Sequence, residues 1–185
     1  MNGVALHVAN DGPGVLEAEL RVELFAGDRS VGRGAVRITV GTHSTVEHDV
    51  ETVLGRWVDA AYAYRFGPPA HDVVVATLVR HDVTLASTCR FPAGRPLEPR
   101  PAPELGARAW IDGGAAPRVS VESRSLLYGV RVHLPGWRPE DDAFTVAPGE
   151  RRTIALTPEG AHTDAPAGEL TALNLEGRLT VGPPA

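Results

Sequence analysis

Residues 57–79, WVDAAYAYRFGPPAHDVVVATLV, decide the fold. From Val58 to Phe66 the even positions carry Val58, Ala60, Tyr62, Tyr64 and Phe66, whereas Asp59 and Arg65 stand on the odd ones. Period 2 with one polar parity is the pattern of a half-buried strand. Gly67-Pro68-Pro69 ends it, because two successive prolines remove two ladder donors and fix φ. Residues 73–79 are then apolar on both parities, which predicts a central strand covered on both faces. The alternation sends Tyr62, Tyr64 and Phe66 to one buried face. It leaves Asp59 and Arg65 to pair or to meet a neighbouring domain.

Upstream the same period recurs. Val4, Leu6 and Val8 share a face, and Asn10-Asp11-Gly12-Pro13-Gly14 supplies residues suited to a turn. Leu16, Ala18, Leu20, Val22 and Leu24 alternate with Glu17, Glu19, Arg21 and Glu23, the pattern of an antiparallel strand with one wet face. Ala26-Gly27-Asp28 turns the chain, and Val36, Ile38 and Val40 repeat the alternation. A weaker strand is expected over 44–54. Beyond His81-Asp82, another turn, Val83, Leu85, Cys89 and Phe91 close the module on one apolar parity. Seven short strands at this spacing predict a β-sandwich of immunoglobulin type.

Prolines at 92, 96, 99, 101 and 103 make the next segment a semi-rigid linker of extended polyproline character. A second module begins near Leu105, with strands expected at 107–111, 118–123, 126–134, 143–147, 151–157, 169–175 and 178–182. Its strongest turns are Pro135-Gly136-Trp137-Arg138-Pro139 and Ala147-Pro148-Gly149-Glu150. No segment holds a 3.6-residue period, so helix should be nearly absent. The expected architecture is all-β: two tandem immunoglobulin-like antiparallel β-sandwiches at 1–91 and 105–185, joined by a proline-rich linker at 92–104.

Composition narrows the function classes. The chain has 185 residues, 43% hydrophobic and 22% charged, enough for two modules that each bury a core. The net charge of −5 is spread evenly: residues 1–91 hold 8 Arg against 11 acids, and 92–185 hold 10 Arg against 12. No basic face stands out, so nucleic acid is not an expected partner. The absence of lysine reads as codon bias. A single cysteine, Cys89, excludes an internal disulfide framework and leaves the compartment open. Neither a signal peptide nor a run of 18 apolar residues is present, so no membrane partner is expected, and a soluble, cytoplasmic chain is.

The search for chemistry is mostly negative. Seven histidines are scattered, and His43 and His48 fall on opposite faces of any strand, whereas zinc needs three or four convergent ligands. Ser44, Ser87 and Ser120 lack a nucleophile-elbow context. Glu140-Asp141-Asp142 lacks the spaced ligands of a calcium loop and reads as a solvated turn, with Asp142 accepting backbone N–H bonds. No glycine-rich loop opens a helix, and no cofactor is implied. With 10 aromatic residues, the tyrosines among them on a core parity, a sugar-stacking platform is disfavoured.

The residues also carry a resemblance. Trp57-Val58-Asp59-Ala60-Ala61-Tyr62-Ala63-Tyr64-Arg65-Phe66-Gly67-Pro68-Pro69, followed by His71-Asp72-Val73-Val74, resembles a module found late in bacterial β-mannosidases of glycoside hydrolase family 2. Tyr128-Gly129-Val130-Arg131, Pro135 to Pro139, Asp142-Ala143-Phe144 and Ala147-Pro148-Gly149-Glu150 resemble that family's final immunoglobulin-like module. Ala143 and Ala147 depart from its usual Asp-Asn-Tyr/Phe-Phe and Leu-Pro-Gly-Glu strings. The second set is shared with exo-β-glucosaminidases.

What the resemblance implies is specific. Enzymes of that family hydrolyse glycosides with retention through two glutamates on a (β/α)₈ barrel. This chain has no alternating helix–strand pattern, and none of its glutamates matches the catalytic motifs. The expectation is therefore a non-catalytic C-terminal accessory region of such a glycosidase, a truncated piece whose partner is the parent's catalytic barrel and whose contact with β-mannoside sugars comes through the parent. Candidate interdomain contacts are Trp57, Asp59, Arg65 and Trp110, with no catalytic or metal-ligating residue. If the chain evolved against a barrel, an apolar patch near Trp57 or Trp110 should be exposed. An independent carbohydrate-binding or adhesion module is the alternative, as is the accessory region of an exo-β-glucosaminidase.

Overall fold

The structure is a computed structural model that describes residues 3–61, 70–94, 98–114, 116–160 and 164–183. The chain divides into two compact units, Met1–Arg95 and Pro96–Ala185. Each is an antiparallel β-sandwich in which alternate residues of facing sheets meet in a core.

In the first unit β2 (Leu16–Ala26), β3 (Arg29–Val40), β5 (Val73–Arg80) and β6 (Val83–Arg90) form one sheet in the order β3-β2-β5-β6. Among the described residues its second layer is a pair, β1 (Ala5–Asn10) against β4 (Ser44–Asp49), with Ala5 opposite Asp49 and Asn10 opposite Ser44. Val4 and Val8 meet Leu20, Val22, Leu24, Ile38, Val40, Val74, Ala76 and Leu78 between the layers. The alternation of 16–24 thus buries the expected parity.

Three sequence expectations need correction here. The strand expected over 44–54 ends at Asp49, and Val50–Leu54 is the short helix α1. Val50, Val53 and Leu54 occupy positions i, i+3 and i+4 and are all buried, so one helical face reaches the core where a strand would send only alternate residues. Gly55 then closes the helix at φ 64°, a left-handed cap for which glycine has no steric cost. The helix sits over β3 because Gly34 leaves room: a Cβ there would lie 2.2 Å from the Val53 carbonyl oxygen.

The second correction concerns the opening stretch. Residues 57–61 carry no strand, and Tyr62, Tyr64, Arg65, Phe66 and the two prolines lie outside the described residues. The buried face assigned to those aromatics is therefore a matter of the sequence alone. By contrast, β5 is buried on both parities, as its unbroken apolar run required.

The third lies at β6. The hairpin turn His81-Asp82 places both residues at positive φ, 49° and 61°, the requirement of a type I′ turn. A register shift between Leu78 and Val79 follows, after which Leu78 faces Ala86, Ala76 faces Thr88 and Val74 faces Arg90. The even residues of β6 thus point to the core side, and Val83 and Leu85 are 60% and 47% exposed instead of closing the module. A bulge shifts parity by one, which period counting from sequence cannot see.

The second unit packs β7 (Arg108–Asp112), β8 (Arg118–Glu122), β10 (Trp137–Pro139) and β12 (Arg151–Pro158), in the order β10-β12-β8-β7. The facing sheet holds β9 (Leu127–His133), β11 (Phe144–Val146), β13 (Gly168–Thr171) and β14 (Leu179–Val181), in the order β11-β9-β13-β14. Ile111, Val119, Val121, Ile154 and Leu156 from one layer meet Leu127, Val130, Val132, Phe144, Leu170 and Val181 from the other.

Two turns show the chemistry their residues promised. Trp137 N donates to Leu134 O at 2.9 Å across Pro135-Gly136, with Gly136 at φ 78°. Glu150 N donates to Ala147 O at 3.0 Å across Pro148-Gly149, with Gly149 at φ 76°. Proline then positive-φ glycine is the type II arrangement. The proline-rich segment is not extended throughout: Ala102–Leu105 forms the short helix α2, and its Leu105 is fully buried in the second core. Among the described residues no helix is long and apolar enough to cross a membrane.

Candidate functional site

Two clusters of side chains invite chemistry, one in each unit. In the first, Trp57 follows the Gly55 cap and is 68% exposed, while Val58 packs on the core and Ala60 and Ala61 are buried. Asp59 lies half-buried between them. His71 closes the far end of the stretch, only 4% exposed. Its ring is hydrogen-bonded to the Ala60 backbone, and its Nε2 is a buried atom with no hydrogen-bond partner among the described residues.

Burial, the largest influence on His71, holds the imidazole below its ordinary value against the pull of Asp72, Asp59 and the Ala60 bond. The neighbouring Asp72 has a structural task. Its N–H donates to Phe25 O at 2.9 Å, and its Oδ2 accepts from Gly27 N at 2.8 Å, which ties the stretch to the β2–β3 turn. A neutral buried imidazole anchored on backbone is a spacer in the packing.

In the second unit the outer face of the β10-β12-β8-β7 sheet carries a polar network laid out by strand register. Arg108, Glu122 and Arg151 form one cross-strand row, and Trp110, Ser120 and Thr153 the next. Arg151 binds Glu122 through Nη2 at 3.0 Å and Nε at 3.2 Å, and Arg108 pairs with the same carboxylate from the other side. Arg151, foremost, holds the Glu122 carboxyl below the usual range, partly offset by burial, with Arg108 adding to it. That is the opposite of what a general acid requires.

Trp110 donates from Nε1 to Asp112 Oδ1 at 2.8 Å, and Arg151 lies over its ring at 4.9 Å. Ser120 donates to Asp112 and meets Thr153 at 2.9 Å. Every acid in this face is thus engaged by a protein donor. The indole face that a sugar ring would stack on is occupied by a guanidinium.

The four sequence candidates separate accordingly. Trp57 and Asp59 lie in one segment of the first unit, Trp110 lies in β7 of the second, and Arg65 falls outside the described residues. Of the two tryptophans, Trp57 is the exposed one and Trp110 is half-buried. The acidic run 140–142 is arranged otherwise than expected: Asp142 N donates to Asp141 Oδ1 at 2.9 Å, Asp141 also pairs with Arg152, and Asp142 faces Arg131 at 3.8 Å. The acceptor is Asp141, because the adjacent Arg152 reaches it from β12. Among the described residues no group of three His, Cys, Asp or Glu converges as metal ligands would.

Sequence reasoning passed over the Trp110–Asp112–Ser120–Thr153 network, although its signal was present. Residues 110, 112, 120 and 153 share the outer parity of three strands that lie side by side.

No protein-family model and no curated protein sequence matches this chain. Solved structures do. The chain is similar to a β-D-mannosidase from Dictyoglomus thermophilum, with TM-score 0.64 and 16% identity, covering 93% of this chain and 20% of that one. It is also similar to the exo-chitosanase CsxA of Amycolatopsis orientalis, with TM-score 0.64 and 13% identity, covering 97% of this chain and 25% of that one. At such identities the likeness shows the fold. The chain spans a fifth to a quarter of the length of these neighbours.

Proposed function

We propose that this chain is the non-catalytic C-terminal accessory region of a bacterial family 2 glycosidase of β-mannosidase type, and that it braces the catalytic barrel and the rim of its cleft. The observation that carries this reading is the extent of the structural likeness. It runs through both units in two different glycosidases, yet takes up only a fifth to a quarter of each. The strand orders of both units support sandwiches of immunoglobulin type. The engaged carboxylates of the second unit and the lowered Glu122 support a role without acid–base chemistry. Trp57, exposed beside Asp59, is the contact this reading assigns to the barrel; exposed indoles of this kind anchor interfaces.

The mannosidase assignment rests on the 57–74 string. The likeness to an exo-chitosanase keeps the exo-β-glucosaminidase accessory region as the second reading. A titration of the chain with manno-oligosaccharides, followed by calorimetry, tests bracing against sugar binding. No heat of binding is expected up to millimolar sugar, and millimolar or tighter binding overturns the bracing role.

A further inference from the structure

The four-stranded sheet of the first unit ends differently on its two sides. At the β3 border α1 packs on the strand, and Arg56 donates from Nη2 to Val31 O at 2.9 Å. β3 itself carries Arg29, Arg33 and Arg37. At the other border, among the described residues, no strand pairs with β6 on its far side. Seven of the eight residues of β6 are exposed, Val83 and Leu85 among them.

Such an edge is a template for a further strand, and proteins blunt it by shortening it, by charge, by proline, by a cover or by a bulge. β6 is not shortened: it has eight residues, as many as its neighbour β5. The segment 83–89, VTLASTC, carries no charge and no proline, and Arg90 charges only the last position. An uncharged, proline-free segment of this kind is one that pairs edge to edge. One device is left. Val79 faces Thr84 and Leu78 faces Ala86, so Leu85 has no residue opposite it. An extra residue of this kind interrupts the spacing of the ladder groups along the edge and increases the local twist.

We infer that the Leu85 bulge is the guard of this edge: it keeps β6 from pairing antiparallel with β6 of a second copy of the chain. Without Leu85, Thr84 and Ala86 become neighbours opposite Val79 and Leu78, and the hairpin at His81-Asp82 keeps its register. The edge then runs unbroken from Val83 to Arg90. Two such edges related by a two-fold axis join their sheets into one, because an antiparallel pair of identical strands is self-complementary. The guard concerns β6 alone and is independent of the function proposed above.

The test deletes Leu85 from the full chain and follows mass by light scattering, in reducing buffer, from micromolar to millimolar concentration. Leu85 is exposed and the pairs on either side of it are unchanged, so the deletion chain should keep a cooperative urea transition. The parent should stay monomeric, and the deletion chain should reach twice the monomer mass or more. Ser87→Lys, added to the deletion chain on an exposed position, sets like charges against each other across the axis and should return it to a monomer. A folded deletion chain that stays monomeric overturns the guard. So does association of the parent, or association that survives Ser87→Lys. Amide exchange on the parent needs no variant to fold. The β6 amides that do not bond to β5 should exchange as fast as loop amides, and protection of every β6 amide in a monomer would overturn the inference by showing the edge already covered.

Discussion

At the residue scale the chain's unusual side chains are explained by backbone they hold. His71 is the clearest case. Above pH about 6.5 neither the folded nor the unfolded chain protonates it. Because its folded value is lowered, the unfolded chain takes up the proton first as pH falls, and stability declines from there to the folded value. Thermal unfolding between pH 7.5 and 5.5 should show it: His71→Asn, which keeps a donor for Ala60 without titrating, should lose less Tm over that range than the parent. Parallel curves would rule out a buried neutral imidazole. Asn174 does comparable work in the second unit, its Nδ2 donating to Leu126 O at 2.7 Å and its Oδ1 accepting from Tyr128 N at 2.9 Å. Asn174→Ala removes the partner of the buried Leu126 carbonyl and of the part-buried Tyr128 N–H, and should cost about 2–6 kcal/mol in urea unfolding, at 1–3 kcal/mol per unsatisfied group. Trp57→Ser, at an exposed position, should change stability by no more than about 0.5 kcal/mol. None of this was legible in the sequence beyond the residues' presence, since a lone histidine or asparagine does not announce whether it faces water or backbone.

At the element scale, period 2 located most strands, and it did so where one face is wet and the other dry. Leu16–Ala26, with Glu and Arg on one parity, is such a strand. The misreadings share a cause: the local pattern was right and the geometry around it changed the outcome. Val46, Val50 and Leu54 satisfy both a strand and a helix count, and Gly34 with Gly55 settles the matter for α1 by giving it a bed and a cap. Gly34→Ala should therefore cost about 1–3 kcal/mol by overpacking, read as a lowered urea midpoint of the first unit's transition. A neutral result would mean that α1 is not seated on β3. The bulge between Leu78 and Val79 turned β6 over, and no composition rule marks a bulge that lacks glycine. Pro135-Gly136 and Pro148-Gly149 were readable because proline and positive-φ glycine encode their turn directly.

For the whole molecule, the sequence spoke to fold class more than to chemistry. The all-β architecture follows from the alternation and is present, and the chain divides into two compact units between Arg95 and Pro96. The function proposed here is that of a brace: two sandwiches, the second with a charged face tied into its own ion pairs and the first with Trp57 exposed. On that proposal the region lends a barrel rigidity without entering its reaction. The most direct measurement is hydrolysis of an aryl β-mannoside by the purified chain. Release of the aryl group at the buffer rate, unchanged as chain concentration rises, is the predicted result. Release that grows in proportion to chain concentration would contradict the account.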